Sequence, residues 1–253
     1  MSVAERILTS RKPFTIFHTW TVSNELLRRA IQEQRSMDLD VCIDDSGNPY
    51  LGHSREYHEK SGEAYFDSLP LWDVVARISR SNIVAMIDCK HCDAWPVIEE
   101  VVEKIGPERC MVDSYVSEFK FGHSRADGEP DFVTEWTPIG KLLELKSKFP
   151  AVTTAASVKW PPKDLLTSAK YQELVAYIRG VTKEHRVDGV CLSVPDETLT
   201  DQWLRYFLTE NIIPRIGVDR TDTSKLTQVY VGETDDLARA SKSPFPDETR
   251  IRS

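Results

Sequence analysis

The stretch SMDLDVCIDDSGNPYLGHS, residues 36 to 54, sets Asp38 and Asp40 two residues apart in an apolar run, with a turn and then His53 beyond them. Side chains alternate across a strand, so the two Asp share one side while Met37, Leu39 and Val41 share the other. Two desolvated carboxylates a few ångströms apart repel, and they resist joint ionisation unless a cation lies between them. An all-oxygen site for a divalent ion, Mg2+ or Ca2+, resolves the conflict. The run NIVAMIDCK repeats the pattern, with Asp88 and Lys90 on one face and Ile87 and Cys89 on the other. His18 ends the run PFTIFH, and His53 follows the hairpin-like turn. Singly, an Asp at a strand end is usually a cap, and a His usually a packed residue. Three carboxylates, two His and one Lys on three consecutive strand ends are harder to assign to accident.

The elements that must position these groups are short apolar strands alternating with helical patterns. SNELLRRAIQEQ carries Leu26, Leu27, Ala30 and Ile31 on one stripe, with Ser23 or Asn24 as N-cap. MDLDVCI is the second strand, closed by the turn signal DDSGNP. LPLWDVVARIS reads as a helix. WPVIEEVVEKIGP reads as another, with Val97, Ile98, Val101, Val102 and Ile105 on one face and Gly106–Pro107 as its stop. RCMVDSYV, a polar loop at 122–137, the helix GKLLELKSKF and the strand AVTTAASV follow. The helix LTSAKYQELVAYIRGVTKEH, the strand DGVCLSV, the helix TDQWLRYFLTEN, IIPRIGV, a short TSKLTQ and VYVGE complete the series. About eight β-α units in 253 residues predict a parallel (β/α)8 barrel, in which strand C-termini converge on one rim. An open doubly wound sheet fits less well, because no Gly-rich phosphate loop follows the first strand.

Composition narrows the function classes. With 40% hydrophobic and 28% charged residues, the chain is long enough for one large domain, spanning 1–253, with its core at about 14–235 and a polar tail at about 239–253. A formal net charge of −8 with scattered Lys and Arg argues against a sequence-independent grip on nucleic acid. No apolar run approaches the roughly 20 residues of a spanning helix, and the N-terminus lacks a secretory signal core. The expected location is the cytoplasm. Five Cys without dense spacing agree with a reducing compartment. Cys89 and Cys92 form a Cys-x-x-Cys, read as free thiols near a strand end rather than as a zinc or redox pair. His58, His91, His123 and His185 read as surface or loop residues. The sequence does not fix an oligomeric state.

In its motifs the chain resembles the glycerophosphodiester phosphodiesterase superfamily of phosphodiesterase barrels. HTWTVSNELLRRAI stands where that family has His-Arg-Gly and a Glu-Asn-Thr helix start, and DLDVCIDDSGNPYLGHS where it has Glu-x-Asp, a turn and His-Asp. DCK matches Glu-x-Lys, and MVDSYVSEFKFG reads like the fourth strand. The resemblance runs from about residue 14 to 235. It implies Asp38, Asp40 and Asp88 as divalent-metal ligands, His18 and His53 as the acid–base pair, and Lys90 as a phosphate contact. The implied activity is metal-dependent hydrolysis of a glycerophosphodiester or a related small phosphodiester. Two alternatives use the same barrel: a silent one that binds a phosphorylated ligand or a protein partner, and a phospholipase-type lyase that forms a cyclic phosphate. The chain departs from the pattern in having Asp for Glu at 38 and 88, Thr19–Trp20 for Arg-Gly, Ser23 for Glu, and Ser54 for Asp. The family's Trp-Thr-x-Asn has no match in IIPRIGVDRTD.

Overall fold

In the computed structural model, residues 1–10, 14–17, 22–53, 68–115, 138–158, 180, 183, 187–192, 213–217 and 231–234 are described. The alternating run at 36–43 forms a strand, and the other apolar runs form strands beside it. They are β1 (Phe14–Phe17), β2 (Ser36–Ile43), β3 (Pro49–Leu51), β4 (Ala85–Cys89), β5 (Cys110–Tyr115), β6 (Thr153–Val158), β7 (Gly189–Leu192), β8 (Ile213–Gly217) and β9 (Val231–Thr234). The described helices are α1 (Val3–Ser10), α2 (Asn24–Gln32), α3 (Leu71–Ser79), α4 (Trp95–Ile105) and α5 (Ile139–Lys148).

Pairing runs β1-β2-β4-β5-β6-β7-β8-β9 and returns to β1, all of it parallel. Eight parallel strands closed in this way are a (β/α)8 barrel, as the repeated β-α units predict. The strand β3 is an addition that the sequence reading missed. Among the described residues β1 meets β2 at Ser36 and Met37, while β3 pairs antiparallel with β2 at Val41, Cys42 and Ile43. The hairpin therefore covers the edge of β2 that β1 leaves open near the rim, where an unpaired edge is a liability. Its turn is held by Asp44, whose Oδ1 accepts from the Ser46 and Asn48 N–H groups at 2.9 and 2.8 Å. Gly47 takes the left-handed conformation, φ 81°, that the turn requires. Bonds from the backbone and side chain of Asn48 hold the Asp44 carboxyl below its ordinary range.

Which side of each strand faces the helices is legible from the core. Met37, Leu39, Val41, Ala85, Ile87, Cys89, Cys110 and Val112 pack in one cluster with Leu27, Val74, Ile98, Val102 and Leu142 of the helices. Their strand neighbours Met86 and Met111 are equally buried yet stand outside that cluster, and Asp38, Asp40, Asp88 and Asp113 share the face of these two Met by register and alternation. Alternation thus puts them inside the barrel. Ser23 is the N-cap of α2 and accepts from the Leu26 N–H at 3.2 Å. In α4 the buried stripe is Trp95, Ile98, Val101, Val102 and Ile105, with Val97 only partly buried.

The helix α1, also unforeseen, lies at the opposite end of the barrel from the rim. Val3 is fully buried, and the Ala4 N–H donates to Thr153 Oγ1, on the first residue of β6, at 2.8 Å. Arg109 ties two helix ends together, donating to the carbonyls of Ile78, Ser79 and Ser81 after α3 and of Ile105 at the end of α4. A cation on C-terminal carbonyls offsets both their desolvation and the helix dipole. Arg109→Ala is expected to lower stability by about 1–3 kcal/mol, read as an earlier midpoint in chemical denaturation. An unchanged midpoint would show these bonds to be replaced by water at no cost.

The loop expected at 122–137, the helices expected at 166–185 and 200–211, the short TSKLTQ segment and the tail at 239–253 lie wholly or almost wholly outside the described residues. Among the described residues no helix is long and apolar enough to cross a membrane.

Candidate active site

Asp40 of β2 is in register with Asp88 of β4, and Asp88 with Asp113 of β5, so three carboxylates form one row across adjacent strands. Asp38 lies two residues earlier on the same face of β2, in register with Met86. All four Asp are buried, with Asp38 and Asp113 at 0% exposure and Asp40 and Asp88 at 2%. Lys90 rises just beyond β4 and reaches back over the row. Its Nζ lies 2.6 Å from Asp88 Oδ2 and 3.2 Å from Asp40 Oδ1. His53 arrives from the other side, with Nε2 at 2.9 Å from Asp40 Oδ2. Asp40 thus lies between Lys90 and His53, each against a different one of its oxygens.

The hairpin explains how His53 gets there. β3 carries the chain back beside β2, and the Gly52 N–H donates to the Asp40 carbonyl at 2.8 Å. Gly52 adopts φ 143°, which a side chain would disfavour. The Tyr50 hydroxyl donates to the His53 carbonyl at 2.7 Å and pins the backbone there. The His53 side chain keeps 18% exposure, so it borders both the buried carboxylates and the rim. The Lys90 N–H donates to the Val41 carbonyl at 2.9 Å and locks the end of β4 to β2.

Five of the six residues singled out from sequence are described, and they come together: Asp38, Asp40 and Asp88 in the barrel, Lys90 and His53 at its mouth. His18 follows β1 directly in sequence and lies outside the described residues. Asp113 and Ser157 were missed. The Ser157 hydroxyl donates to Asp113 Oδ2 at 2.7 Å, both residues buried. The signal for Asp113 was the same alternation that exposed Asp38 and Asp40, applied one strand further on.

The Cys-x-x-Cys does not join this group. Cys89 packs on the helix-facing side of β4, and burial, with a further push from Asp88, raises its thiol to about 12. A thiol kept protonated in this way is a poor metal ligand or redox partner. His91, Cys92 and Asp93 place donor atoms within 4.8 Å of one another on the half-exposed turn after Lys90. There His91 Nδ1 accepts from the Asp93 N–H at 3.2 Å, acting as the cap of the short 3-10 turn Cys92–Ala94.

No family model matches the chain, and no curated protein does. Solved structures do. A glycerophosphoryl diester phosphodiesterase from Parabacteroides distasonis is similar at 11% identity, covering 97% of this chain and 94% of that one, with a TM-score of 0.57. A glycerophosphodiester phosphodiesterase from Agrobacterium tumefaciens is also similar at 11% identity, covering 88% and 96%, with a TM-score of 0.51. An HpcH/HpaI aldolase from Desulfitobacterium hafniense matches at 10% identity over 96% and 93%, with a TM-score of 0.51. The likeness is one of fold. At such identities it extends to barrels of different chemistry, and what this barrel does has to be argued from its own residues.

Proposed function

We propose that this barrel hydrolyses a glycerophosphodiester or a related small phosphodiester with the help of a divalent cation, Mg2+ or Ca2+. The observation that supports it best is the buried row of carboxylates under Lys90 and His53 at the end of the barrel where active sites lie. Burying several carboxylates together is costly without compensating positive charge. The donor set of Asp38, Asp40 and Asp88 is all oxygen, as hard cations prefer. Those three residues would hold the ion, which when bound polarises phosphoryl oxygens and offsets the charge they gain in the transition state.

The chain's own residues do the rest. Lys90 is a fixed positive charge at the mouth, placed to draw in and orient a phosphodiester anion. His53 is the group that moves a proton, and its contact with Asp40, Nε2 to Oδ2 at 2.9 Å, orients the ring. His18 is proposed as its partner. One His takes a proton from the attacking water while the phosphorus–oxygen bond to the alcohol breaks, and the other returns a proton to the departing alkoxide. The products are an alcohol and, for a glycerophosphodiester, glycerol 3-phosphate.

The test is hydrolysis of glycerophosphocholine, glycerophosphoethanolamine, glycerophosphoinositol and bis-p-nitrophenyl phosphate with Mg2+, Ca2+, Mn2+ or EDTA. Turnover of at least one, abolished by EDTA, is expected. A cyclic phosphate among the products would replace hydrolysis with the lyase reaction of the same residues. Silence across the panel, with cation binding intact by calorimetry, would overturn the hydrolase reading in favour of a barrel that only binds.

A further inference from the structure

We propose that Asp113, its carboxylate fixed by Ser157, acts as a fourth charge of the cation site and sets both how tightly an ion is held and how strongly ions of higher charge are preferred. This rests on reading Asp38, Asp40 and Asp88 as the cation ligands. Asp113 continues their row: it is in register with Asp88, which is in register with Asp40. Neighbouring strands lie about 4.8 Å apart, so its charge stands within on the order of 5–8 Å of anything Asp88 holds. The bond from Ser157 Oγ to Asp113 Oδ2, at 2.7 Å, holds that carboxylate oxygen in place inside the barrel.

A purely structural role leaves a different signature in this molecule. Asp188, for comparison, accepts from the Thr154 N–H at 2.9 Å and from Lys146 Nζ at 2.8 Å, and so ties backbone and helix together near the start of β6. Asp113 takes its bond from another side chain buried in the barrel, on the strand facing away from Asp88. That bond fixes Asp113 Oδ2 inside the barrel, one strand along from Asp88.

Coulomb energy scales with the charge of the ion, and this separates a charge from a packing residue. In Asp113→Asn, which keeps the shape, Mn2+ affinity is expected to fall about tenfold. Tb3+ affinity is expected to fall about thirtyfold, ten raised to the power of three halves. Ser157→Ala and Asp113→Glu keep the charge and should change the ratio of the two affinities little. Titration calorimetry for Mn2+ and luminescence for Tb3+ read both on the full chain, with a thermal melt to confirm folding. If Asp113→Asn does not fold, Asp113→Ser is judged by the same ratio. Failure of the wild-type chain to bind either ion would remove the cation reading itself. Binding to the wild type with affinities unchanged in the variant, or reduced equally for both ions, would overturn the role of Asp113 and leave the cation site standing.

Discussion

His53→Ala is expected to cut turnover of the responsive phosphodiester by about 10²–10⁴-fold, the usual worth of a positioned proton-transfer group, while Mn2+ affinity changes little. The reasoning separates the two halves of the site. Asp38, Asp40 and Asp88 are sealed in the barrel, whereas His53 stands at its mouth on a loop pinned by Tyr50 and Gly52. On the proposed roles, its loss removes a donor or acceptor for the reacting oxygen and one contact of Asp40 Oδ2, while Lys90 Nζ still holds Asp40 Oδ1 and Asp88 Oδ2. His91→Ala is the control, since that ring caps a half-exposed turn beyond Lys90. It should retain turnover within about twofold, as surface substitutions away from the chemistry usually do. Initial rates on the panel substrate together with calorimetric Mn2+ binding give both readouts. A fall in affinity as large as the fall in rate would make His53 an ion ligand, and unchanged turnover would take it out of the chemistry altogether.

The sequence made the barrel visible because its strands and helices alternate in short, strongly patterned units. The inward Asp pair was visible for a related reason. Strand alternation is a local rule, so Asp38 and Asp40 declare their common face without any knowledge of their neighbours. Register is not local. That Asp40, Asp88 and Asp113 form one row depends on the stagger of β2, β4 and β5, which no single strand encodes. Asp113 therefore read as one more polar residue in RCMVDSYV. β3 was missed because three residues beginning with Pro49 are too few to show a period, although the turn before it was legible from Asp44, Gly47 and Asn48. The eight-residue helix α1 is shorter than the window over which a helical period shows. Asp at 38 and 88, where the resembling family has Glu, gives each carboxylate one methylene less reach. An in-row Asp113 places a further carboxyl group beside those shortened side chains, a neighbour that only the register reveals.

Lys90 carries the other large expected effect, on stability rather than rate. Its ammonium, only 8% exposed, lies against Asp88 at 2.6 Å and Asp40 at 3.2 Å, both nearly sealed from water. Removing one partner of a buried ion pair leaves the other charge without compensation, at a typical cost of about 3–5 kcal/mol. Lys90→Met preserves much of the stem's packing and deletes the charge, so the loss is electrostatic. In EDTA the variant should unfold at a distinctly lower denaturant concentration than the wild type. Saturating Mn2+ should restore part of the difference, because an ion bound only by the folded chain at 100 times its dissociation constant adds about 2.7 kcal/mol. The rescue should be larger in the variant than in the wild type, because on the proposed reading the ammonium and the ion compete for the same carboxylates. Equal stability of the two proteins in EDTA would mean that the charge of Lys90 contributes nothing to holding Asp40 and Asp88 in the fold. Equal rescue would mean that the ion binds away from the row and that Lys90 and the cation serve different oxygens.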